Sequence, residues 1–152
     1  MELDTSRSLY NPEDYENCLT RIDQLSAESK PQWGSITAAQ MLSHCAEIQE
    51  VSNGKELKGT PFIAKLFKGM IRKMVVNEKP YKKSTQTHPQ YRQTEERDFE
   101  TEKARLLAAL KSFVGAESSP GHPHPLFGTM THDEKGWSAY KHLNHHLTQF
   151  GL

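Results

Sequence analysis

The chain has only two cysteines, Cys18 and Cys45, in 152 residues, and they form no CxxC pair. Such sparse usage points to a reducing, cytoplasmic setting rather than a disulfide-stapled secreted domain. Net charge is also lacking, because 19 basic residues balance 19 acidic ones. No global excess of either sign draws in nucleic acid or an anionic surface. No apolar run approaches the length that spans a bilayer. Met1-Glu2-Leu3-Asp4 has neither the basic nor the apolar region of a signal peptide. Common catalytic signatures are missing too: there is no GxSxG, no P-loop and no GxGxxG. The nucleophile-elbow hydrolases, the P-loop nucleotide enzymes and the dinucleotide-binding folds therefore find no support. Strand-like alternation is scarce, and no internal repeat is visible.

What is present is helical patterning, in a length that suits a single domain over 1–152 with a core of its own. Residues 1–10 read as a loose leader. Asn11-Pro12-Glu13-Asp14 starts a helix, with Asn as cap, Pro at the first helical position and two acids near the positive end of the dipole. Tyr15, Cys18, Leu19, Ile22 and Leu25 continue it at helical spacing to about residue 27. Thr37-Ala38-Ala39-Gln40 is a capping box for a second helix, whose stripe runs through Met41, Cys45 and Ile48 and which ends at Asn53-Gly54. From Pro61 to Val75 an amphipathic segment sets Phe62, Ile63, Leu66, Phe67, Met70, Ile71 and Met74 among Lys65, Lys68, Arg72 and Lys73. A basic amphipathic helix can lie on a membrane or a partner. The expectation here is a short insertion packed over the other helices with its lysines solvated.

Residues 77–93 are polar, contain Pro80 and Pro89, and read as a long loop able to cover a site. Thr94-Glu95-Glu96 opens another helix with Phe99, Leu106, Leu110 and Phe113 on its apolar face and Gly115 at its end. The Pro-rich stretch from Ser118 to Pro125 is a loop. Thr131-His132-Asp133-Glu134 is a second capping box, and Ala139, Tyr140, Leu143, Leu147 and Phe150 form the stripe of the last helix. Four main helices and one short amphipathic insertion predict an all-α, four-helix bundle.

Three of the eight histidines, His142, His145 and His146, fall within five residues of that last helix. His142 and His146 stand one turn apart on the flank of the stripe, whereas His145 points outward. On the second helix, His44 falls on the core-facing side, between Ile48 and Val51 at about 100° per residue. Bundles build metal sites from facing helices in this way. Three neutral imidazoles, from His44, His142 and His146, can bind Zn²⁺, Ni²⁺, Mn²⁺ or Fe²⁺ and leave a coordination position open, as catalytic metals require. Gln149 lies on the same side as the pair, and Gln40 stands one turn before His44. Either can steady a ligand ring or serve a helix end. Glu47 is the one nearby acid with spacing suited to base work, although a solvated helix-face glutamate is the commoner reading. Cys45 reads as a packing thiol. Of His122, His124 and His132, no more than one is expected at the mouth of the site, shaped by the 78–93 and 115–130 loops. Trp33, Trp137 and Phe127 are expected in the core.

These residues resemble a known family. Trp33-Gly34, the run from Gln40 to Cys45, His124-Pro125-Leu126-Phe127-Gly128 and the run from Lys141 to Gly151 are similar to the DinB-like superfamily of four-helix metalloenzymes, over nearly the whole chain. The resemblance implies a four-helix bundle with a long crossover. It also implies a histidine triad, with one ligand from the second helix and two from an HxxxH in the last; residue by residue these fall on His44, His142 and His146. Family members include S-transferases and isomerases that use low-molecular-weight thiols, and others that bind metal with no known reaction. The implied function is a divalent-metal protein acting with a small thiol on an electrophilic substrate, as a metal-dependent transferase or hydrolase. The alternatives are a non-enzymatic metal- or ligand-binding bundle, with a homodimer among its forms, and a structural partner that uses the basic segment at 61–75.

Overall fold

Capping side chains set where the helices begin. Asn11 Oδ1 accepts from the Glu13 amide at 3.0 Å, and Pro12 occupies the first position of α1, Pro12–Asp23. Thr37 with Gln40 and Thr131 with Glu134 form reciprocal capping boxes for α2, Ala38–Ser52, and α6, His132–Gln149. Between them lie α3, Phe62–Leu66, α4, Lys68–Val76, a single 3-10 turn at Pro89–Tyr91, and α5, Phe99–Gly115. This computed structural model describes residues 1–152 and contains six α-helices and no strand. No helix is long and apolar enough to cross a membrane.

Two expected boundaries shift. α1 stops at Asp23, short of residue 27. α5 starts at Phe99 instead of Thr94, because the Asp98 carboxylate accepts from the Thr101 amide at 2.8 Å. A carboxylate at the cap satisfies a free donor and complements the dipole, so it determines the start over the weaker signal upstream.

The core is built by α1, α2, α5 and α6. Cys18 and Ile22 meet Met41, Leu42 and Cys45, with Leu106, Leu110 and Phe113 from α5 and Leu143 and Leu147 from α6. Cross-contacts give the helix directions. Arg21 reaches Asn144 while Tyr10 stacks on His132, so α1 and α6 run parallel. Arg105 reaches Glu50 while Gln40 meets the Glu95 carbonyl, so α2 and α5 also run parallel. α2 and α6 run antiparallel, since His44 faces His142 while Gly34 approaches Gln149. Parallel α2 and α5 require a long return, which residues 53–98 supply.

The first ten residues are not a loose leader throughout. Leu9 is fully buried in the core, and its amide donates to the Gly136 carbonyl at 3.1 Å. The buried Asp14 carboxylate accepts from Arg7 at 2.6 Å and from the Ser8 amide at 3.0 Å. A Cβ at Gly136 would collide with Ser8, so glycine is what lets this strap lie against α6.

The expected packing of residues 61–75 is also corrected. The segment breaks at Phe67 into α3 and α4, and its apolar face points to solvent. Polar clips hold it. Arg72 bridges to Glu134 at 2.8 Å and donates to the Phe127 and Thr129 carbonyls. Lys141 donates to the Met74 carbonyl at 2.6 Å. These clips lie on the side of α4 that faces α6, which leaves the opposite side unpacked.

Candidate metal centre

Antiparallel α2 and α6 bring the middle of one helix opposite the middle of the other. His44 Nε2 lies 3.2 Å from His142 Nε2, and His146 joins them one turn further along. One nitrogen from each of the three lies within 4.8 Å of the others. The ring centroids make a near-regular triangle of 5.2, 4.7 and 4.8 Å. Two imidazole nitrogens bound to one tetrahedral zinc at about 2.0–2.1 Å stand about 3.3 Å apart, close to the His44–His142 separation. These three histidines can hold a metal ion.

Ring protonation points the same way. The Tyr91 carbonyl can only accept, so His44 Nδ1–H donates to it at 2.8 Å. That leaves the His44 Nε2 lone pair directed at His142. Gln149 Nε2 donates to the Trp33 carbonyl at 3.0 Å, which turns Gln149 Oε1 towards His146 Nδ1 at 2.9 Å. His146 Nδ1–H therefore donates, and its Nε2 is free as well. Two of the three rings are locked in the tautomer that presents Nε2 to an ion, which is the usual arrangement around a ligating histidine.

Burial keeps the rings uncharged. It lowers the His44 pKa, against the pull of the Tyr91 carbonyl. Burial lowers His142 well below the ordinary histidine value, helped by repulsion from His146 and His44. Burial and His44 push His146 down to about 3. At neutral pH all three are lone-pair donors, as metal ligation requires.

A family model described as a protein of unknown function (DUF1569) matches residues 5–151. The chain belongs to the DUF1569 family. No curated protein and no solved structure matches it.

The other residues singled out in this DUF1569 chain fall in different places. His145 is half-buried, not outward in solvent. Its ring meets Trp33 edge-on at 5.7 Å and Tyr81 at 5.5 Å, and it stays outside the triad. Burial lowers its pKa, with His44 and Lys141 adding to the shift. Gln149 supports His146 directly, whereas Gln40 is absorbed in the α2 capping box and a bond to the Glu95 carbonyl. Glu47 is no free base. Burial alone would raise its pKa, but hydrogen bonds from Lys55, Gln90 and Arg105 outweigh it and hold the carboxyl below its ordinary value. Cys45 is a buried thiol whose pKa burial pushes up, and Cys18 is pushed up to about 11 for the same reason. Both thiols are free and packed in the core. Trp137 is buried, while Trp33 and Phe127 are only partly so.

The long loops divide their roles. The 78–93 loop reaches the site through the Tyr91 carbonyl and through Tyr81, whose ring stands 6.4 Å from that of His142. The 115–130 loop does not form its mouth. His122, His124 and His132 line a separate cavity of about 360 Å³ beside Tyr10, Phe113 and Lys135.

Tyr81, the Tyr91 carbonyl and Lys141 were not legible as site residues. Lys141 is only 2 % exposed, and its ammonium donates to the Met74 and Asn77 carbonyls and to Asn77 Oδ1 at 2.6, 3.1 and 3.2 Å. Burial lowers its pKa to about 8.

Gln149→Leu should free the His146 ring and lower metal affinity by about 10–100-fold with the fold intact. Competition with a chromophoric chelator measures this; unchanged affinity would mean that packing alone orients the ring.

Proposed function

We propose that the protein is a DinB-like four-helix bundle that binds one divalent metal through His44, His142 and His146 and uses it to activate a small thiol for transfer to an electrophile. The observation that carries the metal reading is the pair of locked tautomers, with Nδ1–H donated to Tyr91 and Gln149 and Nε2 turned inward. The helix directions, parallel in α1 and α6 and in α2 and α5, support the long-crossover bundle.

A divalent ion held here supplies Lewis acidity, which lowers the pKa of a thiol or water that reaches it. The protein's own groups do the rest. Tyr91 and Gln149 keep two ligand rings oriented. Burial keeps all three imidazoles unprotonated. Tyr81 and Trp33 wall the approach beside His145. Glu47, the acid that hydrolysis would recruit as a base, is fully engaged by Arg105, Lys55 and Gln90. Thiol transfer needs no such base once the thiol is ionised, which favours it over hydrolysis. The same want of a free acid or base favours the second reading, a metal-binding protein without a reaction.

Cobalt separates the readings. Apo-protein loaded with Co²⁺ and titrated with 2-mercaptoethanol, cysteine or glutathione should develop thiolate-to-cobalt charge-transfer absorption that His142→Ala lacks. Absence of Co²⁺ binding would sink the metal reading. A spectrum that thiols leave unmoved, with no consumption of a bimane electrophile, would leave the non-enzymatic metal protein.

A further inference from the structure

Residues 57–77 hold five cations, Lys58, Lys65, Lys68, Arg72 and Lys73, and no acid, in a chain whose total charge is balanced. The same stretch carries the largest run of exposed apolar side chains. Phe62 is 80 % exposed, Ile63 66 %, Leu66 65 % and Met70 68 %, with Phe67 and Met74 beside them. Ile63 and Leu66 on α3, and Met70 and Met74 on α4, recur at helical spacing on either side of the break at Phe67, so the exposed residues are patterned and not scattered. A contiguous apolar face of this kind marks a docking surface.

The face is presented in a fixed orientation. Arg72 ties the opposite side of α4 to Glu134 and to the Phe127 and Thr129 carbonyls. Lys141 ties its end through the Met74 and Asn77 carbonyls. Lys65, Lys68 and Lys73 are exposed and pair with no carboxylate, and exposed Lys79, Lys82 and Lys83 follow in the next loop. Apolar side chains ringed by free ammonium groups complement an acyl boundary beneath anionic headgroups. A second copy of the chain fits less well, because a two-fold pairing through this face would bring the same lysines together.

We propose that α3 and α4 form an interfacial platform that docks the protein on an anionic lipid surface, with Phe62, Ile63, Leu66 and Met70 inserted at the acyl boundary and Lys65, Lys68 and Lys73 at the headgroups. This platform is independent of the histidine site and of any metal.

The test is vesicle sedimentation of the full chain with phosphatidylcholine alone and with equal parts of phosphatidylcholine and phosphatidylglycerol. The protein should partition to the anionic vesicles, less so as salt rises, and scarcely to the neutral ones. The triple variant Lys65→Gln, Lys68→Gln, Lys73→Gln should lose affinity on the order of a hundredfold. The triple variant Phe62→Ser, Leu66→Ser, Met70→Ser should lose at least about tenfold. All substituted side chains are exposed, so helical circular dichroism should match the parent. No binding of the parent to anionic vesicles, or equal binding of the parent and the lysine variant, overturns the proposal. A lipid-free dimer that the serine variant dissociates also overturns it and assigns the face to a second copy.

Discussion

Protein purified without a tag should carry close to one equivalent of divalent metal, and His44→Ala and His142→Ala should each carry almost none. The magnitude follows from ligand count. Removing a group that only orients a ligand costs about 10–100-fold in affinity, so removing a ligand from a set of three costs more and empties the site at micromolar protein. His44 and His142 come from different helices and meet at 3.2 Å, so neither remaining pair spans the site as the three do. His145→Ala is the control: its ring contacts Trp33 and Tyr81 but lies outside the cluster, and its metal content should match the parent. Elemental mass spectrometry reads all four proteins. A parent that stays metal-free after incubation with Zn²⁺, Ni²⁺ and Mn²⁺ would leave the three histidines as a polar cluster with one buried and two half-buried members, and end the enzyme reading.

Lys141→Ala should lower unfolding stability by about 3–4 kcal/mol, among the largest effects of any single substitution outside the apolar core. Lys141 is one of the largest fully buried side chains, so its removal opens a cavity. It also leaves the Met74 carbonyl without its lysine donor, takes one of two side-chain donors from the Asn77 carbonyl, which keeps Trp137 Nε1, and removes the ammonium that stands 4.5 Å over the Tyr81 ring. Lys141→Met keeps most of the volume and loses the donor and the cation over Tyr81, so about 1–2 kcal/mol is expected. Urea midpoints of the three proteins separate the two contributions. A Lys141→Ala protein within 1 kcal/mol of the parent would mean that the end of α4 is held by other contacts. Because Lys141 precedes His142 and its acceptors end α4, the same residue ties α4 to the helix that carries His142 and His146.

The parts of the site that the sequence disclosed are those with a side-chain signal at helical spacing. His142 and His146 one turn apart, and His44 on the inward face of α2, needed no tertiary information to be grouped. Gln149 was visible as a neighbour of His146 by the same periodicity. Glu47 was misleading for a reason of reach: helical spacing placed it near His44, but Arg105, Lys55 and Gln90 come from other segments and occupy its carboxylate. Tyr91 was invisible because it contributes a carbonyl, which every residue has.

Local chemistry determined the all-helical character, both capping boxes, the Asn11-Pro12 start and the faces that carry the three histidines. Each depends on atoms within about four residues of one another, which periodicity and hydrogen-bonding type report directly. Tertiary structure decided the rest. It set the 3.2 Å approach of His44 to His142, the tautomers imposed by Tyr91 and by Trp33 through Gln149, and the burial of Leu9 and Lys141. It also turned the apolar face of α3 and α4 outward, against the pattern's own expectation. Hydrophobic periodicity states that a face wants cover. Only the placement of Arg72 and Lys141 against α4 determined which side the other helices would supply.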